Sequence, residues 1–215
     1  MRVRGLELAR RWVLPWCLVG LGGAALAQSA VRQGPPPLVP PPLVVVEPGP
    51  DYLAWWRRAR IQPSGTRVRG LPIERLQPEW CAADELSRER FPDGVFIDAG
   101  GRDQLKAGDY RFTLEGPQIA KGRRLIALVG VSMRCDGELG HFLVVLDPTP
   151  RGLKLRFLQE RPFDGSALTV LQPVSEDVFR WLACLGCRDG LSIRWDAEQR
   201  LFRARPLRPA EPDED

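Results

Sequence analysis

Cysteines, a single histidine and a large set of arginines carry whatever chemistry this chain can do. Cys184-Leu185-Gly186-Cys187 is a C-x-x-C. A redox-active dithiol needs one cysteine at a helix N-terminus, where the dipole lowers its pKa. Here the motif falls between an apolar stretch, 178–185, and the turn signal Arg188-Asp189-Gly190, with no helical pattern after it. A c-type haem site needs histidine directly after the second cysteine, and Arg188 stands there. A zinc site needs four suitably spaced ligands, and Cys81 and Cys135 do not form a second C-x-x-C. A β-turn brings residues i and i+3 within about 7 Å, which suits a disulfide. The spacing therefore predicts a structural bridge between Cys184 and Cys187, with Cys81 and Cys135 as the remaining pair and no metal. Redox use of Cys184 and Cys187 stays open as the second reading.

His141 is the only histidine, so any Ser–His–Asp or Cys–His mechanism must use it. It stands between Gly140 and Phe142 in an apolar stretch, and no G-x-S-x-G accompanies it. The expectation is a packed strand residue with one ring nitrogen satisfied. A carboxylate pair can hydrolyse glycosides without histidine, but no motif singles out two acids, so no catalytic residue is nominated. An envelope hydrolase remains a third reading. Two sets of cations stand on alternating strand patterns: Lys154 with Arg156, and Arg194 with Arg203 and Arg205. Arginine-rich faces suit anionic partners, which makes Arg194, Arg203 and Arg205 the candidate binding residues.

These side chains must be positioned by what lies around them. Residues 1–27 show a basic start (Arg2, Arg4, Arg10, Arg11), an apolar run over 12–26 and a small-x-small end at Ala25-Leu26-Ala27. That order predicts a cleaved export signal, by the general or the twin-arginine route, and no transmembrane span after cleavage. An exported chain with four remaining cysteines is expected to be disulfide-bonded and periplasmic or secreted. The whole chain carries 31 Lys+Arg against 27 Asp+Glu, net +4. Without the four arginines and one glutamate of 1–27, 27 basic groups face 26 acidic ones. That balance gives no support for a nucleic-acid partner. Residues 28–50 form a proline-rich linker. The patch Leu43-Val44-Val45-Val46 inside it has the composition of an edge strand. Residues 51–209 have the length of one domain, and 210–215 form an acidic tail with Glu211, Asp213, Glu214 and Asp215.

Within 51–209 the pattern is that of a mainly β or α+β domain, an antiparallel β-meander with one or two short N-terminal helices. Helical spacing of Tyr52, Trp55, Trp56 and Ala59 predicts a helix over 51–60. Pro78, Trp80, Ala83, Leu86 and Arg90 predict another over 78–90. Strands are expected at 94–98, 109–115, 124–133, 139–147, 152–159, 167–172, 178–185, 190–196 and 200–205. Turn signals stand at Asp136-Gly137, Asp147-Pro148, Asp164-Gly165 and Asp189-Gly190. The wholly apolar runs 125–131 and 142–146 predict central strands covered on both faces. Leu153, Leu155 and Phe157 are expected on one face of their strand and Lys154 and Arg156 on the other.

The stretch RRLIALVGVSMRCDGELGHFLVVLD followed by GLKLRFLQ resembles a single blade unit of FG-GAP-type β-propeller repeats in secreted bacterial proteins. The resemblance implies β-sheet architecture. It implies no calcium site, because Ile119-Ala120-Lys121-Gly122-Arg123-Arg124 stands where that family carries an acidic calcium loop. No cofactor is expected. Together these features point to an exported non-enzymatic binding or accessory module with an anionic envelope component or protein as partner.

Overall fold

The computed structural model describes residues 59–91, 101–166 and 168–207, with the backbone alone of 44–46 and Gly101. Strand β1 (Val44–Val46) pairs antiparallel with β2 (Ala59–Ile61), so the apolar patch inside the proline-rich segment does act as a strand. A tight hairpin joins β3 (Arg67–Val68) to β4 (Leu71–Pro72). Strand β5 (Trp80–Glu85) and the single-turn 3-10 helix at Arg88–Arg90 lead on to α1 (Gly101–Ala107).

Four long strands follow: β6 (Thr113–Ala120), β7 (Arg123–Arg134), β8 (Leu139–Thr149) and β9 (Gly152–Pro162). With β5 they form the first sheet, in the order β5-β7-β8-β9, with β6 also on β7. Strands β5 and β6 share one edge of β7, β6 along its first half and β5 along its second. Four shorter strands, β10 (Val170–Ser175), β11 (Val178–Leu182), β12 (Gly190–Asp196) and β13 (Leu201–Pro206), make the second sheet as a plain meander.

The two apolar runs sit in β7 and β8, the middle of the first sheet, because both of its faces are dry. Leu125, Ala127, Val129, Val131, Leu143 and Val145 pack against Leu171, Phe179, Trp181, Ile193 and Phe202 of the second sheet. On the opposite face Leu128, Phe142, Val144 and Leu146 pack under Val68, Ile73, Leu76 and Trp80. Gly130 is required at the crossing. A Cβ there would lie 2.1 Å from the Phe142 ring and 2.4 Å from the Asp84 carbonyl oxygen. The second sheet has only its inner face buried, so its strands alternate, with Ile193 inside and Arg194 outside.

Several expectations are corrected. Residues 80–85 are strand, not part of a helix over 78–90. Pairing with β7, Ala83 opposite Ser132, outweighs the local helical spacing. Of the helix expected over 51–60, Ala59 and Arg60 belong to β2 and 51–58 lie outside the described residues. Asp147-Pro148 is not a turn. It continues β8, and the chain reverses at residues 150 and 151, before Gly152 at φ 109°. Phe157 does not share a face with Leu153 and Leu155. A bulge in β9 opposite Val145 and Leu146 flips the alternation at Arg156, sending Phe157 to the inter-sheet core and Leu155 to the other. The expected strand at 94–98, the segment 1–27, most of 28–50 and the tail 210–215 lie outside the described residues. Among the described residues no helix is long and apolar enough to cross a membrane.

Candidate functional site

The strands that carry Arg194, Arg203 and Arg205 are joined by a four-residue connection, residues 197–200. Strict antiparallel pairing then places Arg194 opposite Arg203 and Ser192 opposite Arg205. Alternation sends all four outward, where they line a groove of about 270 Å³. Like charges directly opposite across a ladder repel, and the structure compensates only one of the three. Arg203 donates from Nε to Asp196 Oδ2 at 3.1 Å and from Nη2 to Gln199 Oε1 at 2.7 Å. The Asp196 carboxyl is held below its usual range, first by the backbone N–H of Gln199 and then by Arg203, so it stays charged beside its partner. Arg194 and Arg205 have no hydrogen-bond or ion-pair partner among the described residues.

The basic face extends beyond these three. Arg180 lies opposite both Ser192 and Gln172, on the same side of the sheet. With Arg188, Tyr110, Cys187 and Leu207 it lines an adjoining cleft of about 370 Å³. Among the described residues its only partner is the Gln172 amide oxygen, at 3.4 Å. Sequence reasoning missed Arg180 and Arg188. Its position between the apolar Phe179 and Trp181 was the signal that it points outward, though not that it joins the other arginines.

The other cationic candidates are placed differently. Lys154 is exposed. Arg156 is no part of a free basic face, which corrects the expectation. Its Nη2 lies 2.5 Å from Oδ2 of Asp147, whose Oδ1 is 3.2 Å from Nε of Arg123. Asp147 is fully buried. The β9 bulge at Arg156 allows the second guanidinium to reach it.

His141 is buried as expected, 5.4 Å from the Phe163 ring and across from Arg161. The expectation of one satisfied nitrogen fails: neither Nδ1 nor Nε2 has a hydrogen-bond partner among the described residues. Burial pushes its pKa down to about 4. The charge of Asp164 and the nearby Ser166 backbone raise it, and Arg161 lowers it further. Among the described residues no hydroxyl or thiol lies within hydrogen-bonding distance of this neutral imidazole.

A further cleft, about 690 Å³, lies at the tip of the β7–β8 hairpin and is lined by Arg134, Glu138, Glu160, Arg161 and Phe163 among others. Of its two carboxylates, that of Glu160 is already engaged. Glu160 Oε1 accepts from Trp80 Nε1 at 2.8 Å and Ser132 Oγ at 3.0 Å, and Oε2 lies 3.7 Å from Arg134 Nη1. Arg134 also pairs with Glu79, and Arg161 lies 3.6 Å from Asp189. These bonds tie the hairpin tip to β5 and β9.

The cysteines pair as Cys81–Cys135 and Cys184–Cys187, with Cα atoms 4.8 Å and 5.2 Å apart. The first ties β5 to the turn after β7. The second closes the loop after β11, where the Cys187 N–H donates to the Cys184 carbonyl at 3.4 Å, and β12 follows it rather than a helix. Among the described residues no group of three or more His, Cys, Asp or Glu side chains is placed to hold a metal ion. Compared with known protein families, with curated proteins and with solved structures, the chain matches none.

Proposed function

We propose that this chain is an exported, disulfide-stapled β-sheet module that works by binding, and that the outer arginine face of its second sheet receives an acidic partner. The observation that carries this reading is the pair of unpartnered guanidiniums. Arg194 and Arg205 flank Arg203 around one groove and have no carboxylate partner among the described residues. Such a like-charge ladder costs stability in the free protein and is relieved by an anion. Rigid strands hold the guanidiniums, so little ordering accompanies binding. Alternate residues of one strand stand about 6.8 Å apart, the spacing of alternate residues in an extended peptide. A protein segment with acids at alternate positions therefore fits this face. The basic, apolar, small-x-small order of 1–27 and the two disulfides support export to the periplasm or beyond.

Fluorescent poly-L-glutamate titrated into the protein tests the reading. Binding is expected to weaken steeply with salt. It is expected to fall by at least about tenfold in a triple variant, Arg194→Ser with Arg203→Ser and Arg205→Ser, since charge-assisted hydrogen bonds are each worth about 1.5–3 kcal/mol. A folded His141→Ala protein should bind as the parent does. Equal binding by parent and triple variant would sink the proposal.

A further inference from the structure

The loop that carries Cys184 and Cys187 has supports other than their bond. Leu185 is buried and packs into the core between the sheets. Gly186 is the third residue of the turn and stands at φ 72°, a conformation that glycine adopts without strain. The Cys187 N–H donates to the Cys184 carbonyl at 3.4 Å, and outside the motif the Ala183 N–H donates to the Asp189 carbonyl at 3.4 Å. When the disulfide opens, this backbone keeps the two sulfurs beside each other, ready to close again.

We infer that Cys184 and Cys187 form a thiol–disulfide exchange site, with Cys187 as the sulfur that a partner thiol attacks and Arg180 and Arg188 as the groups that stabilise its thiolate. This goes beyond the acidic-partner reading and does not depend on it. Half-buried Cys187 lines the cleft between β11 and Leu207 together with Arg180 and Arg188, and Cys184 does not. Among the described residues Arg188 has no hydrogen-bond or ion-pair partner, and Arg180 has only the neutral amide of Gln172. The adjacent acid, Asp189, pairs instead with Arg161 at 3.6 Å. Positive charge beside a cysteine favours its thiolate, as a helix N-terminus does. No helix follows this motif, and the two guanidiniums supply the charge in its place. The Cys81–Cys135 bond has the opposite surroundings. Both of its cysteines are exposed, but Asp136 follows directly, and the Cys135 N–H donates to the Glu79 carbonyl at 3.0 Å. Carboxylates nearby disfavour a thiolate.

The exchange balances as follows. A thiolate of a two-cysteine polypeptide attacks Cys187 Sγ and forms a mixed disulfide. The Cys184–Cys187 bond breaks, and its electron pair leaves on Cys184 Sγ, which takes a proton from water. The second thiolate of the polypeptide attacks its own sulfur in the mixed disulfide and releases Cys187 as a thiolate beside the two arginines. The polypeptide is oxidised to a disulfide and the C-x-x-C is reduced to a dithiol. A small-molecule disulfide, such as oxidised glutathione, restores it by the reverse steps.

Equilibration with mixtures of reduced and oxidised glutathione, read by alkylation and peptide mapping, tests the site. Arg180→Ser with Arg188→Ser should shift the Cys184–Cys187 equilibrium about tenfold toward the disulfide, about 30 mV. Lys121→Ser with Arg151→Ser removes two exposed cations of the first sheet and should leave that equilibrium at the parent value. No shift in the first variant, or an equal shift in the second, would overturn the role of the arginines. The two sulfurs are separated by single variants. Cys187 left free in Cys184→Ser should form a mixed disulfide with oxidised glutathione about tenfold faster than Cys184 left free in Cys187→Ser. Equal or reversed rates would overturn the assignment of Cys187. The parent should also speed the oxidation of a two-cysteine peptide by oxidised glutathione. A rate no greater than that of glutathione alone would make the bond a staple only and sink the inference.

Discussion

Arg123 and Arg156 meet across Asp147, a carboxylate with no solvent exposure, whereas Arg194 faces Arg203 across a ladder with Arg205 beside them and, among the described residues, only Asp196 to share. The first arrangement belongs to a sheet buried on both faces. There a charge is tolerated only when paired, and the β9 bulge brings a second arginine to the same acid. The second belongs to a sheet wetted on its outer face, where water solvates an unpaired guanidinium at little cost. The same residue type is thus structural in one sheet and available in the other. What separates the two is whether the register supplies a carboxylate.

The staples give the largest contrast. The Cys81–Cys135 bond closes a sequence separation of 54 and the Cys184–Cys187 bond a separation of 3. In the chain-entropy model these correspond to about 4 and about 2 kcal/mol. Replacing Cys81 and Cys135 by alanine should therefore lower the urea midpoint about twice as much as replacing Cys184 and Cys187. Equal losses would mean that the small loop does more for the second sheet than entropy allows.

Next in size is Asp147→Asn. It leaves two guanidiniums facing a neutral amide, and breaking a buried pair by removing one partner costs about 3 kcal/mol or more. Both arginines are about one-third exposed, at 34% and 31% of their side chains, which places the expectation at the low end. Urea unfolding measures it. A loss under about 1 kcal/mol would put Asp147 in the same class as the surface pairs.

His141 supplies a pH-dependent term of similar size. Its folded pKa, about 4, lies below the unfolded value of about 6.5. Between these values the unfolded chain holds the proton and the folded protein does not, so acid favours unfolding. The stability tied to this group is complete above pH 6.5 and is lost as pH falls toward 4, up to about 3 kcal/mol. Carboxylates titrate in part of that range, so the measurement is the difference between the parent and His141→Leu. If the two profiles run parallel from pH 7 to 4, the imidazole is not held neutral.

How much of this was legible in the sequence varies by element. The runs 125–131 and 142–146 announced a doubly covered sheet because no polar face interrupts them. Leu191-Ser192-Ile193-Arg194-Trp195 announced a half-exposed strand by its strict alternation. The outward set Arg194, Arg203 and Arg205 followed from two alternating strands and a short connection. Trp80–Glu85 was illegible as a strand because its partner, 130–134, lies some 45 residues on, and its apolar positions also fit a helix. The fate of Arg156 was hidden for a related reason. One extra residue in β9 reverses the alternation, and no local signal marks that bulge. Arg180 joins the basic face only once the pairing of β11 with β12 is known.

The smallest expected effect is the most discriminating for the second sheet. Arg194→Ser removes a guanidinium with no partner among the described residues that stands opposite Arg203. Surface substitutions away from special features stay within about 0.5 kcal/mol, and relief of a directly opposed like-charge pair acts in the stabilising direction by about 0.2–1 kcal/mol. The serine variant should therefore be as stable as the parent or slightly more so, the reverse of Asp147→Asn. Salt sharpens the point. Added sodium chloride screens repulsion between exposed charges, with a Debye length of about 10 Å at 0.1 M. The parent should gain stability with salt, and the gain should shrink in Arg194→Ser. Urea unfolding at several salt concentrations reads both quantities. If Arg194→Ser is destabilised by more than about 1 kcal/mol, Arg194 has a structural partner after all, and the contrast between a sheet of paired arginines and a sheet of available ones no longer holds.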